Sequence, residues 1–263
     1  MLKKLLKYDL EYIFRGIVIF YLLGLFFSVL TRIFLGVDNS LIFNIIGKIC
    51  SGVTISMIFN ILINNLMRLW ARFRNNFYGD ESYLTHTLPI RKQELYLSKF
   101  IMMIGSLFVS VLMIGLVLFI AYYSKENIVV LKQILLPLAS IYDSTVVVLI
   151  LVFLFIFFLE IANLIQTGYM GIILGNRMNK HKIVMSIIYA FIIYMGMQVV
   201  NLLVLFVYGL FNDNIMDLFT TMNFQNISVI RTIVWLSIII YTGMLLIMYF
   251  INVKLINKGV NVD

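Results

Sequence analysis

The chain has 263 residues, of which 62% are hydrophobic and only 12% are charged. Soluble globular domains contain about 45–50% apolar and about 25% charged residues, so this composition excludes a water-soluble protein and predicts that membrane lipids surround most of the chain. The net charge is +8. Because the basic residues lie between apolar runs, we attribute this charge to the cytoplasmic face and expect no nucleic-acid partner.

Six apolar stretches reach the length of about 20 residues that a helix needs to cross the hydrocarbon core of a bilayer. In chain order they run over Gly16–Leu35, Ile45–Met67, Phe100–Tyr123, Thr145–Leu174, Ile183–Phe211 and Val229–Ile251. No small-residue cleavage site follows the first stretch, so we expect it to remain as an anchor. The pattern predicts an all-α integral membrane protein whose residues 1–263 form a single transmembrane domain.

Two shorter segments are predicted to lie along the membrane surface. The N-terminal arm, residues 1–15, sets apolar side chains against charged ones: Leu2, Leu5, Leu6, Tyr12 and Ile13 against Lys3, Lys4, Lys7, Asp9 and Glu11. This pattern favours an amphipathic helix in the inner interface; the alternative is a charged extension of the first span. The apolar run Ile128–Leu138 is too short to span and is interpreted as interfacial.

Basic residues are distributed unevenly between the two sides that six spans would create. Fifteen of the 20 lysines and arginines fall in the arm 1–15, the connection 68–99, the turn 177–182 and the tail 254–258. The side of a membrane protein that is richer in lysine and arginine faces the cytoplasm. We therefore expect a multi-pass protein of the cell membrane with both termini in the cytoplasm.

The sequence motifs of common membrane-associated enzymes are missing. A phosphate-binding loop needs Gly-x-x-x-x-Gly-Lys, and the near match from Gly47 to Gly52 is followed by Val53 inside an apolar run. The two histidines, His86 and His181, are far apart in sequence and lack the spacing of a metalloprotease helix. We therefore expect no catalytic residue, no metal site and no cofactor in this chain, and no enzyme activity of its own.

A polar row crosses the middle of the fourth apolar stretch. Glu160, Asn163 and Thr167 are spaced by three and four residues, so they share one face of a helix. An ionisable group at membrane depth is costly and marks a functional site by default. Two interpretations stay open: a polar lining for a translocation path or dimer seam, or a glutamate held by hydrogen bonds inside the bundle. In both cases we expect Glu160 to face protein rather than lipid.

Other small and polar residues in the spans follow helical spacing. Gly171 and Gly175 form a small-x-x-x-small pair, which allows two helices to approach closely. Rows of small and polar side chains also mark one face of the second stretch and one face of the fifth: Gly52, Ser56, Asn60 and Asn64, and Tyr194, Gln198 and Asn201. Both rows are interpreted as helix–helix contacts.

The connection between the second and third stretches carries a recognisable pattern. From Phe73 to Ile101 it reads FRNNFYGDESYLTHTLPIRKQELYLSKFI. It resembles the cytoplasmic connection of the type-two exporter permeases of ATP-binding-cassette (ABC) transporters, through Gly79, Asp80, Glu81, Leu84, Leu88, Pro89, Arg91, Leu95 and Lys99. One departure is the pair Ile90 and Arg91 after the proline, where many relatives have a small hydroxyl residue that could cap the next helix.

The resemblance implies that the segment 68–99 contains a coupling helix, which in such permeases docks on a separate cytoplasmic ATP-binding subunit. The residues implied in this contact are Asp80, Glu81, Tyr83, Leu84, Leu88 and Pro89. Tyr83, Leu84 and Leu88 would form an apolar face with a charged rim, and the ring of Pro89 would stop the short helix. ATP hydrolysis is then expected only in the partner subunit.

The expected function is that of a membrane-spanning permease subunit of an ABC exporter. The resemblance implies pairing with a second permease subunit, as a homodimer or a heterodimer, around a path for an unidentified substrate. A path poor in charge suits apolar or amphipathic cargo such as lipids or peptides. The alternative is an ATP-independent membrane carrier or scaffold; inverted repeats would favour a carrier, but the sequence shows no convincing internal repeat.

Overall fold

A computed structural model describes residues 2–37, 41–87, 89–142, 144–212, 215–216 and 227–258. Within these residues, six helices are long and apolar enough to cross a membrane, so the prediction of six candidate spans is confirmed. The helices are α1 (Leu2–Leu35), α2 (Leu41–Tyr78), α3 (Ser82–Thr87), α4 (Lys92–Tyr122), α5 (Lys125–Ile141), α6 (Val146–Gly175), α7 (Lys182–Gly209) and α8 (Ile227–Asn257). Leu88, most of the loop 212–228 and the end of the tail, 259–263, lie outside the described residues.

Several helices continue beyond the apolar stretches that predict them. The N-terminal arm is continuous with the first candidate span in α1, with no break between the two. Its placement in the interface therefore stays a prediction. Likewise, α2 runs past the predicted end of the second stretch at Met67 as far as Tyr78, so the first third of the connection 68–99 is helical. The segment predicted to be interfacial lies in α5, which has 17 residues and contains Pro137.

The chain divides into two compact units, Met1–Leu131 and Lys132–Asp263, and α5 crosses the boundary between them. In the first unit, α1 packs against α2 and α4, and α3 packs against α2. The buried apolar face of α1 repeats every four residues through Ile13, Ile17 and Tyr21, which is the period of one helix face. This three-helix packing sets the position of the segment that leads into α3.

In the second unit, α6 packs against both α7 and α8. The C-terminal half of α6 is its buried part, and Ile165, Tyr169 and Ile173 are all fully enclosed. Their spacing of four residues again defines a single helix face. The polar row that begins at Glu160 therefore starts midway along α6, where the helix becomes enclosed by its neighbours.

Candidate functional site

The predicted coupling helix lies in the stretch 79–91 between α2 and α4, which we call the coupling segment after that prediction. It begins at Gly79, where a Cβ atom would lie 2.9 Å from the Cα atom of Asn75, so any side chain at this turn would crowd α2. The amide of Ser82 then donates to the carbonyl of Gly79 at 2.9 Å and starts α3. This short helix ends at Thr87, before Pro89, as expected because residues preceding a proline avoid helical geometry.

Glu81, at the start of the coupling segment, is bound to α2. Arg72 Nη1 donates to both carboxylate oxygens, at 2.9 Å to Oε1 and 2.7 Å to Oε2. The side-chain amide of Asn76 also donates to Glu81 Oε2. About half of the Glu81 side chain is exposed, and it contributes to the charged rim of the segment. Its contacts with Arg72 and Asn76 also bind the start of α3 to α2.

Arg72 also belongs to a buried ion network that connects α1, α2 and α4. Its Nε atom donates to Asp9 Oδ1 at 2.9 Å, and Lys99 Nζ donates to Asp9 Oδ2 at 2.6 Å. Lys99 donates as well to the side-chain carbonyl of Asn76. Lys99 and Asp9 are 0% and 1% exposed. Charged groups are buried this deeply only when they are paired and hydrogen-bonded.

The network contains two carboxylates and two cations and is therefore neutral as a unit. Its members come from α1 (Asp9), α2 (Arg72), the turn before α3 (Glu81) and α4 (Lys99). The guanidinium of Arg72 additionally lies 4.6 Å from the centre of the Tyr12 ring on α1, a cation–π distance. We call these four charged residues the anchor network, since they join the coupling segment to three long helices.

Sequence reasoning placed Asp9 on the polar face of a surface helix, and the structure corrects this placement. Asp9 is buried because it faces Arg72 and Lys99, two cations of the connection 68–99. One signal was present in the sequence: Asp9 is an acid among the lysines of a basic arm. Its burial nevertheless depends on partners 63 and 90 residues away in sequence, which no local pattern reveals.

The outer surface of α3 carries exposed apolar side chains. Tyr83 is 69% exposed and Leu84 is 74% exposed. Asp80 and Pro89, on either side of α3, are also exposed, whereas Leu88 lies outside the described residues. Beyond the turn, α4 begins at Lys92 after Arg91, and no side chain caps its first turn. The departure from the family pattern at this position thus coincides with an uncapped helix.

A second polar cluster surrounds Glu160 in the second unit. The Tyr194 hydroxyl donates to Glu160 Oε1 at 3.0 Å, and Gln198 Nε2 donates to the same oxygen at 3.3 Å. Tyr241 of α8 also interacts with this carboxylate. Asn201 donates to Gln198 Oε1 at 3.4 Å. The expectation that Glu160 faces protein is confirmed, and the predicted polar row on α7 is its partner.

The two residues that follow Glu160 on the same face are buried. Asn163 Nδ2 donates to the backbone carbonyl of Tyr241 on α8 at 3.0 Å, so this amide joins two helices. Thr167 bonds to the carbonyl of Leu164 in its own helix at 2.7 Å. Further along α6, Gln166 Oε1 accepts a hydrogen bond of 2.9 Å from Asn252 Nδ2 of α8. Asn163 therefore has a packing role, and Thr167 satisfies its own hydroxyl locally.

The glycine pair of α6 permits close packing on α7. A Cβ atom at Gly171 would lie 2.6 Å from both the Cβ atom of Ala190 and the carbonyl oxygen of Ser186. At Gly175 it would overlap with the hydroxyl of Ser186. Both sites are too close for any residue except glycine, so the expected close helix approach is confirmed.

Among the described residues, the polar row on α2 makes hydrogen bonds within its own helix rather than the helix–helix contacts that its spacing suggested. Ser56, Asn60 and Asn64 each bond to a carbonyl four residues earlier in α2, and a Cβ atom at Gly52 would meet open space. The inward-facing amide is instead the neighbouring Asn65, whose Nδ2 donates to Ser110 Oγ at 2.7 Å. Spacing alone does not distinguish an outward row from an inward one.

Chemistry that needs a metal has no site among the residues that the structure describes, which contain no cluster of three or more His, Cys, Asp or Glu side chains able to hold an ion. Comparisons of this chain with protein-family models, curated proteins and solved structures gave no match. Two features of the described residues bear on function: an anchored helix with an exposed apolar tip, and a carboxyl group midway along an apolar helix.

Proposed function

We propose that this chain is the membrane-spanning permease subunit of an ABC exporter. The observation that carries the proposal is the combination found at α3. A segment that resembles the coupling segment of these permeases exposes Tyr83 and Leu84 on its surface. The same segment is bound to α2 through the contact between Glu81 and Arg72. Exposed aromatic and aliphatic side chains next to charged ones are the usual anchors of protein interfaces.

The anchor network suits α3 for transmitting force. A push on the exposed tip would reach Arg72 through Glu81, and Asp9 and Lys99 through Arg72. A short helix on a flexible loop would move by itself, whereas this one is bonded to long helices. ATP-driven movement of a docked ATPase would then switch the path between inward-facing and outward-facing states.

The proposal includes a membrane orientation and a set of partners. Both termini and α3 would lie in the cytoplasm of a cell-membrane protein, because most lysines and arginines flank these segments. The partners would be a cytoplasmic ATP-binding subunit, which performs the ATP hydrolysis, and a second permease subunit. The cargo would be apolar or amphipathic, a class that includes lipids and peptides.

Site-specific photocrosslinking tests the ATPase contact. p-Benzoylphenylalanine would replace Tyr83 in the chain expressed in its native host, and crosslinked products would be identified by mass spectrometry. The expected product is a conjugate with an ABC-type ATPase. The matched control places the same probe at Lys132, which is exposed and lies on the opposite side in the proposed topology. Crosslinking of both positions to the ATPase, or of neither, would contradict the proposal and favour an ATP-independent carrier or scaffold.

A further inference from the structure

The Glu160 cluster contains an acidic side chain and no cation among the residues that the structure describes. Glu160 is the only charged residue of α6, and it lies midway along that helix. It forms no ion pair within the described residues. A charge near the bilayer centre costs roughly 2.5–3.5 kcal/mol on insertion scales, so such groups pair with one another or with a ligand.

The neighbours of Glu160 are arranged to keep it a hydrogen-bond acceptor. Tyr194 and Gln198 both donate to Oε1, and the carbonyl of Gln198 is itself occupied by Asn201. Tyr241 of α8 hydrogen-bonds to the same carboxyl group, and the Glu160 side chain is partly exposed. Neutral donors stabilise an ionised carboxylate without cancelling its charge. The arrangement is therefore that of an acidic side chain held by hydrogen-bond donors from two neighbouring helices and still partly exposed.

The surroundings specify what kind of cation fits. Tyr194 and Tyr241 supply aromatic rings from two helices, and such rings attract organic cations. Phe157 lies one turn before Glu160 on α6 and Phe191 one turn before Tyr194 on α7, and both are exposed. A divalent metal would require several oxygen ligands, whereas the cluster offers one carboxylate among hydrogen-bond donors.

We propose that the Glu160 cluster binds a cationic amphiphile, whose positive head contacts Glu160 and the two tyrosines and whose apolar body lies along Phe157 and Phe191. This inference deepens the proposed export function by naming its cargo class. Binding itself requires no ATPase, so it is measured on the purified chain alone. Loss of the ATPase contact would leave this result unaffected, and absence of binding would leave the ATPase contact unaffected.

The test uses radiolabelled tetraphenylphosphonium as the probe and the full chain in a non-ionic detergent. Wild type is expected to bind it saturably, and the neutral analogue triphenylphosphine oxide is expected not to compete. Glu160→Gln should weaken binding at least about tenfold, since removing one member of an enclosed charge pair is costly. Glu160→Asp should retain measurable binding. The control Glu94→Gln changes an exposed carboxylate of α4 and should bind as wild type does.

A second measurement needs no variant and so does not depend on how a variant folds. Dicyclohexylcarbodiimide modifies carboxyl groups in apolar surroundings, and peptide mass spectrometry reports the modification of Glu160. Tetraphenylphosphonium should protect Glu160 in wild type, and triphenylphosphine oxide should not. The proposal is overturned by absence of saturable binding, by wild-type affinity in a folded Glu160→Gln variant, by equal competition from the neutral analogue, or by modification that the cation does not slow.

Discussion

Lys99 of α4 and Asp9 of α1 form an ion pair of 2.6 Å in which neither side chain is accessible to water. Asp9 also accepts from Arg72 at 2.9 Å, so its two oxygens bind two different cations. Burying such charges costs several kcal/mol per ion, and only their mutual contacts offset this cost. The burial of Asp9 and Lys99 is therefore favourable only while Asp9, Arg72 and Lys99 are all present.

Asp9→Asn is expected to destabilise the first unit strongly. The change leaves the Lys99 ammonium enclosed without its counter-charge, and breaking a buried ion pair in this way costs about 3–5 kcal/mol. Thermal unfolding of the purified chain in detergent measures the loss. The matched control is Glu11→Gln, which removes an exposed carboxylate two residues away and should leave the unfolding temperature unchanged. Equal unfolding temperatures for Asp9→Asn and wild type would show that the network is not structural.

Glu81→Gln is expected to loosen α3 while leaving the long helices intact. The change removes the ionic contact with Arg72 that holds the coupling segment to α2. Hydrogen exchange of the backbone amides in 79–87, followed by mass spectrometry, should become faster. The control is Asp80→Asn, since Asp80 is exposed and adjacent in sequence but makes no described bond to α2. If the two variants exchange at the same rate, Glu81 is not the anchor.

The long helices could be predicted from the sequence because an apolar run of about 20 residues is a local signal. The full length of α2 could not be predicted in this way. Residues 68–78 include three arginines and two asparagines, yet they continue the helix because no breaker occurs before Gly79, where the backbone turns close to Asn75. Hydropathy reports where a helix lies in lipid, and it does not report where the hydrogen-bond ladder ends.

The candidate site was predicted in part. The exposed tip of α3 follows from the motif. The polar row on α7 follows from helical spacing, because Tyr194 and Gln198 share a face, but its contact with Glu160 is seen only in the structure. The anchor network did not follow, since Asp9 and Lys99 are 90 residues apart in sequence. The outward orientation of the polar row on α2 could not be predicted either. A serine or asparagine that bonds to its own helix has the same sequence spacing as one that bonds across helices.

Gly171→Ala is expected to destabilise the packing of α6 on α7. The new methyl group would lie 2.6 Å from Ala190 and from the Ser186 carbonyl, and overpacking of this kind costs about 1–3 kcal/mol. The control is Gly196→Ala on α7, whose new Cβ would meet open space; it should be neutral or stabilising by up to about 1 kcal/mol through helix propensity. Thermal unfolding compares the two, and a neutral Gly171→Ala would contradict the close packing.

Single-cysteine labelling tests the proposed orientation. In a Cys50→Ser background, cysteines at Lys3, Arg91, Lys180 and Lys258 are all expected to be protected from a membrane-impermeant maleimide applied to intact cells, and to react after the membrane is permeabilised. A cysteine at Lys132 should react from outside and serves as the positive control. Labelling of position 180 in intact cells would refute the six-span orientation with cytoplasmic termini.

The proposed coupling of α3 to an ATPase is tested most directly by measuring ATP hydrolysis in the reconstituted complex. Tyr83→Ala with Leu84→Ala removes both exposed apolar side chains without touching the anchor network. The double variant is expected to insert normally, to lose co-purification with the ATPase subunit, and to lose cargo-stimulated hydrolysis. Thr87→Ala, an exposed change on the same helix, should keep both. Wild-type co-purification and stimulated hydrolysis in the double variant would contradict the coupling role of α3.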